Sequence, residues 1–155
     1  MKTQTNVSNE ETLGIFYYAL ENAVSHERIQ PALEEIGYDS KKLEEGLDAI
    51  VEAANARGIK VMFSVVAAPA WARGGKSGVG PPDNYQDFYD FMGALAARYK
   101  GRGMAYEIWN EQNLQREWEG SPLSAADYVR LLKGAYQAVK AADPNAIVVS
   151  GAPTP

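Results

Sequence analysis

The octet at residues 106–113, Tyr-Glu-Ile-Trp-Asn-Glu-Gln-Asn, joins an apolar, strand-like run to an Asn-Glu pair. The run extends from Met104 to Trp109 and is followed directly by Asn110 and Glu111. A carboxylic acid at the carboxyl end of a buried strand lies where parallel α/β sheets expose their chemistry. Glu111 is therefore a candidate functional carboxylate, with Asn110 directly beside it in the chain.

Three strand-like segments must position these residues. Ile59–Val66 is a continuous β-branched and apolar run of the kind buried on both faces of a parallel sheet. Met104–Trp109 is the second strand and Ala146–Ser150 the third, with a helix-like stretch before each of them. This βαβαβ order predicts an α/β fold with about three parallel strands and right-handed crossovers.

The two helices between the strands have recognisable starts. Asp83 or Asn84 is a suitable N-cap for a helix running to about Tyr99, and Ser124 is one for the next helix. A Gly/Pro-rich loop at residues 67–84 precedes the first helix and contains Trp71. A large aromatic side chain in such a loop either stacks on a ligand or packs on the end of the sheet.

The first part of the chain has a different character. Residues 1–42 are predicted to form a helical N-terminal segment, in which Gly14–Leu20 alone also fits a strand. A further amphipathic helix leads to Gly58. We expect residues 1–42 and the α/β unit at residues 43–155 to form one compact domain together.

Composition excludes several classes of protein. A length of 155 residues with 46 % apolar residues suits one domain, and a net charge of −5 argues against nucleic-acid binding. No apolar run approaches the roughly 20 residues of a membrane span, so we expect no membrane contact. The polar N-terminal residues lack the apolar core of a signal peptide, which predicts a cytoplasmic protein. With no cysteine and one histidine, His26, we expect no metal site and no cofactor.

Several motifs in order resemble clan A glycoside hydrolases, the retaining (βα)8-barrel enzymes, and especially family 39 and family 5-like members. They are the helix from Leu47 to Gly58, the run Val61–Arg73 (VMFSVVAAPAWAR), the octet at 106–113, and Tyr128–Pro153. The resemblance covers residues 43–155 and implies a partial barrel, from the helix before strand three to strand five. A complete barrel needs about 200 residues or more.

The resemblance implies roles for individual residues. Glu111 matches the general acid/base, and Asn110 matches the neighbour that hydrogen-bonds the sugar 2-hydroxyl. Trp71 and Trp109 are expected to bind substrate, Trp109 as a pocket floor or core residue. The implied substrates are β-linked sugars. The family's nucleophile, a second Glu at the end of strand seven, has no counterpart in the matched motifs.

Two hypotheses about function stay open. A retaining glycosidase needs two carboxyls about 5–5.5 Å apart, and Glu107 is about 13 Å behind Glu111 along the strand. The chain is either a hydrolase that works only when a second carboxylate arrives, or a non-catalytic α/β fragment or engineered or truncated barrel module that binds carbohydrate at most weakly, through Trp71 and Asn110. Because three buried strands would leave open edges, we also expect a homodimer formed through a sheet edge.

Overall fold

The computed structural model describes residues 40–155 with the exception of Ser77. Of the expected N-terminal segment, residues 1–39 lie outside this described part. The elements, in chain order, are α1 (Ser40–Asn55), β1 (Met62–Val65), α2 (Tyr85–Arg98), β2 (Ala105–Ile108), α3 (Ala125–Ala142) and β3 (Ile147–Ser150), with short 3-10 turns at Ala70–Arg73 and Gln115–Glu117.

The strands form one parallel sheet in the order β1-β2-β3. This confirms the predicted α/β fold with a βαβαβ series. All three strands are shorter than the sequence indicates, with four residues each. The backbone leaves the extended conformation just after β1 and β2, where Ala67 and Trp109 have φ values of 59° and 69° and cannot continue a strand.

Local signals set the helix starts. The Asn84 side chain accepts a hydrogen bond from Gln86 N at 3.1 Å, so Asn84 rather than Asp83 is the cap of α2. The Ser124 hydroxyl accepts from Asp127 N at 3.1 Å and caps α3 as expected. Each cap satisfies one backbone N–H that the helix itself leaves without a partner.

One face of the sheet packs against the helices. Phe63 of β1 and Tyr106 of β2 are paired in register, and their rings lie 5.5 Å apart between centroids. Tyr99, at the end of α2, packs 4.8 Å from Phe63. These rings join a continuous buried core with apolar side chains of all three helices, including Val51, Phe88, Met92, Leu131 and Val139.

The opposite face and the outer strands are more open than the sequence predicts. Met62 of β1 is 49 % exposed and Ile147 of β3 is 52 % exposed. Glu107, in the middle strand, is half-buried on this face. The expectation that all three strands are buried on both faces is therefore wrong for β1 and β3, the outer strands of the described sheet. Within residues 40–155, no helix combines the length and apolar character needed to cross a bilayer.

Candidate active site

Three chain segments meet at the carboxyl ends of the strands. The loop at residues 66–84 follows β1, residues 109–124 follow β2, and residues 151–155 follow β3. Parallel strands bring their carboxyl ends to the same edge of the sheet, so residues from distant parts of the sequence converge there. Glu111, Asn110 and Trp71 all lie in these segments.

Strained backbone is concentrated at this edge. Ala67, Trp109 and Glu111 are the non-glycine residues with positive φ in the described part of the chain, at 59°, 69° and 48°. A side chain in this conformation costs on the order of 1–3 kcal/mol and persists only where the surrounding structure enforces it. Such strain is often found at functional sites.

Glu111 is held at both its backbone and its carboxylate. Its N–H donates to Ala152 O at 3.1 Å, which ties the loop after β2 to the segment after β3. Its Oε2 accepts from Arg116 Nη2 at 2.9 Å, and the side chain is 29 % exposed. The same guanidinium lies 3.4 Å, through Nε, from Glu117 Oε1. Arg116 thus brings Glu117 into the neighbourhood of Glu111.

The remaining predicted site residues differ in their access to solvent. Asn110, between the two strained residues, is exposed and available to a ligand. Trp109 has no exposed surface, and its Nε1 donates to Glu117 O at 2.8 Å. The burial of this ring agrees with the interpretation of Trp109 as a core residue. Trp109 supports the strained segment from below.

Trp71 lies in the turn Ala70–Arg73 and is 40 % exposed. It borders a small, open depression in the surface. The carboxylate that lines this depression is that of Asp87, and neither Asn110 nor Glu111 lines it. An aromatic face beside a carboxylate suits a sugar, which offers apolar C–H surface together with hydroxyl groups. The other residues lining the depression are Ala68, Pro69, Ala72, Pro82, Asp87 and Phe88.

A row of packed aromatic rings lies beneath the loops at the carboxyl ends of the strands. Trp109 packs edge-on against Trp118 at 5.2 Å, and Trp118 packs edge-on against Tyr128 at 6.2 Å. The buried Tyr128 hydroxyl donates to Ile108 O at 2.8 Å and accepts from Gly151 N at 2.6 Å. Burial raises the pKa of Tyr128, so the hydroxyl keeps its proton. It joins the ends of β2 and β3 directly beneath the strained residues.

Side-chain amides also connect the segment after β2 (residues 109–124) to the segment after β3 (residues 151–155). Gln112 Nε2 donates to Gly151 O at 3.1 Å. Asn113 donates to Thr154 O at 2.7 Å and accepts from Thr154 N at 3.1 Å. The loop that carries Glu111 is therefore fixed by several hydrogen bonds to the segment after β3.

Two arginines of this edge were missed by the sequence analysis. Arg116 contacts the candidate acid. The sequence feature that could have indicated this contact is its position, five residues after Glu111 and directly before Glu117. Arg73 is buried between two loops. The sequence feature that could have indicated its burial is its position at the end of an apolar run and directly before Gly74 and Gly75. Among the described residues, no three His, Asp or Glu side chains are grouped so that they could hold a metal ion.

Comparisons with known proteins identify the family and the fold of this chain. The family model of Cellulase (glycosyl hydrolase family 5) matches residues 21–154, so the matched region also includes residues 21–42, upstream of the motifs recognised in the sequence.

A solved structure, a family 39 glycoside hydrolase from the gut symbiont Bacteroides cellulosilyticus WH2, is similar to this chain with 26 % identity and a TM-score of 0.52. That similarity covers 68 % of this chain and 21 % of the solved one, so the chain spans about a fifth of that relative's length. No curated protein matches the chain. The resemblance to clan A glycoside hydrolases is confirmed.

Proposed function

The chain belongs to the Cellulase family, glycosyl hydrolase family 5, and on this premise we propose that it acts on β-linked sugars with Glu111 as the general acid/base. The observation that carries the proposal is the place of Glu111, at the carboxyl end of the central strand with positive φ and next to exposed Asn110. Oligosaccharides of β-linked glucose are the first substrates to test, because the family is named for cellulase activity.

The proposed roles follow from the positions of the side chains. Glu111 donates a proton to the glycosidic oxygen as the bond to the sugar breaks, and Asn110 hydrogen-bonds a sugar hydroxyl. Trp71 stacks on a neighbouring sugar from the loop after β1. Since Arg116 engages Oε2 of Glu111, we propose that Oε1 carries the proton that is donated to the glycosidic oxygen.

Hydrolysis with retention requires a second carboxylate as nucleophile, about 5–5.5 Å from the first. The resemblance assigns it to the end of a seventh strand, which the three described strands do not include. Separately, we propose that two copies of the chain associate through the outer strands of the described sheet, β1 and β3. Light scattering at tens of micromolar tests this, and a purely monomeric mass contradicts it.

A binding module is the second candidate function. It is favoured by the ion pair between Glu111 and Arg116, which occupies part of the carboxylate that catalysis would use. In that case Trp71 and Asn110 bind carbohydrate while no bond is broken. Weak binding with no turnover is the expected behaviour.

The experiment that separates the two functions measures chromophore release from a panel of aryl β-glycosides. Wild type is compared with Glu111→Gln, which removes proton transfer and keeps the shape of the side chain. Glu52→Gln, an exposed position on α1 away from the strand ends, is the matched control. Turnover that disappears in Glu111→Gln and persists in Glu52→Gln supports the hydrolase. Equal near-background rates in all three proteins support the binding module, provided that Trp71→Ala weakens binding of a β-linked disaccharide.

A further inference from the structure

Arg73 is a cationic side chain with only 1 % of its surface exposed. It ends the turn Ala70–Arg73 and stands two residues after Trp71. Burying a guanidinium costs several kcal/mol unless hydrogen bonds replace its water. Its partners therefore indicate what the arginine is retained for.

The Arg73 guanidinium donates to backbone carbonyls of two different loops. Nη1 donates to Gly78 O and, at 3.4 Å, to Lys76 O, both in the loop after β1. Nη2 donates to Glu119 O at 2.7 Å, in the loop after β2. A planar fork with several fixed donors can bridge two carbonyls in this way, whereas a single amine cannot hold the same geometry.

The absence of a side chain at Gly80 makes room for this arrangement. A Cβ at Gly80 would lie 2.5 Å from Arg73 Nη2 and 2.2 Å from Glu119 O. Between the same two loops, Glu119 N donates to Val79 O at 2.7 Å. Close approach of the two backbones and the guanidinium thus depends on glycine at position 80.

The loop anchored at Glu119 leads directly to the candidate acid. Two residues earlier, Glu117 O accepts from Trp109 Nε1, and the Glu117 carboxylate shares Arg116 with Glu111. The loop after β1, in turn, carries Trp71. The bridge therefore connects the aromatic platform to the segment that holds the carboxyl group.

We infer that Arg73 is a positioning residue that joins the Trp71 turn and the Glu111 loop into one unit and sets the distance between them. Its own burial keeps it from touching a ligand. The consequence for sugar binding rests on the proposed function, whereas the coupling of the two loops does not.

Hydrogen exchange tests the coupling with Arg73→Met. The reporters are the amide of Glu119, bonded to Val79 O, and the amide of Ala68, bonded to Gly80 O. The amide of Ile147, bonded to Met104 O at the other end of the sheet, is the control. We expect the exchange of both reporters to accelerate at least about tenfold more than that of Ile147, which reports the general loss of stability. Faster exchange at Ala68 alone, with Glu119 as in wild type, overturns the coupling.

Arg73→Lys keeps the test decisive if Arg73→Met does not fold. Its single amine can reach Gly78 O or Glu119 O but cannot bridge both in the fork geometry. One reporter is expected to stay protected and the other to exchange faster. Wild-type protection at both amides in Arg73→Lys overturns the inference, because charge alone would then suffice.

Affinity for a β-1,4-linked glucose disaccharide, measured by calorimetry, tests the consequence for binding. We expect Arg73→Lys to weaken binding about tenfold, and Leu95→Ala, a destabilising core change in α2, to leave it unchanged. If Trp71→Ala weakens binding and Arg73→Lys does not, the positioning role fails while the proposed function stands. If wild type neither binds the disaccharide nor cleaves aryl glycosides, the proposed function fails, and the exchange data still decide the coupling.

Discussion

The guanidinium of Arg116 lies between two carboxylates, with Nη2 2.9 Å from Glu111 Oε2 and Nε 3.4 Å from Glu117 Oε1. The arginine side chain is 68 % exposed. Water therefore screens both ion pairs, and the arrangement acts on the orientation of Glu111 more than on the stability of the fold.

The contrast between Arg116 and Arg73 gives the first prediction. Arg116→Gln is expected to lower the free energy of unfolding by less than about 1 kcal/mol, because exposed ion pairs contribute little. Arg73→Gln is expected to cost about 3 kcal/mol or more, because buried carbonyls lose charged donors. Urea unfolding of both variants measures the difference. Equal losses would contradict the assignment of Arg73 as the structural bridge.

A second prediction concerns the Tyr128 hydroxyl. Tyr128→Phe removes a buried group that donates to Ile108 O and accepts from Gly151 N. The loss leaves these backbone groups without a partner and is expected to cost about 1–3 kcal/mol. Tyr136→Phe on the same helix is the control, since Tyr136 is 49 % exposed and should change stability by less than about 0.5 kcal/mol. Two equal values from chemical denaturation would refute the bridging role.

The strained backbone of Glu111 gives a third prediction. Glu111→Gly and Glu111→Ala both remove the carboxylate, but only glycine adopts a φ of 48° without steric cost. We expect Glu111→Gly to be the more stable of the two by about 0.5–1 kcal/mol. The order is expected to reverse at Gln137, an exposed position inside α3, where alanine is favoured over glycine by about 1 kcal/mol. The four unfolding free energies settle whether the strain is real.

The buried tyrosines of the core predict a pH dependence. Burial, with the Asp48 carboxylate nearby, raises the pKa of Tyr99 to about 12, and burial with Asp143 nearby raises the pKa of Tyr106 to about 12. Because the folded pKa lies above the unfolded value of 10.0, the native state binds more protons between pH 10.0 and about 12. Stability is fully present below pH 10 and is lost as the pH rises through the folded pKa, by up to about 1.4 kcal/mol per pH unit for each group.

Unfolding free energies at a series of pH values from 9 to 12 measure this slope. Tyr106→Phe removes one contributing group, so its slope should be shallower than that of wild type. Identical slopes in the two proteins would show that Tyr106 titrates normally in the native state.

Much of the fold was predictable because its signals are local. The apolar runs, the caps at Asn84 and Ser124 and the alternation of strand and helix each depend on a few neighbouring residues, and the structure confirms them. Strand ends were less predictable. Ala67 and Trp109 leave the extended conformation because of the path of the following loops, which no neighbouring residue reveals.

The site was predictable in position and less so in contacts. The motif around Glu111 indicates the strand end at which the structure places it. The pairing of Arg116 with Glu111, the burial of Trp109 and the bridge at Arg73 all arise from loops that meet only after folding. Such contacts leave only a weak trace in the sequence, such as a charged residue beside glycines.

The order of the strands has a consequence for how the chain folds. Met62 pairs with Ala105, and Ala105 pairs with Ile147, so the two pairings join residues separated by nearly equal lengths of chain. The entropy of closing a loop depends mainly on its length, so the two closures cost about the same. Either βαβ half can therefore form first, and the central strand then serves as template for the other. Destabilising substitutions in β1 and in β3 should accordingly divert folding between two routes instead of blocking it.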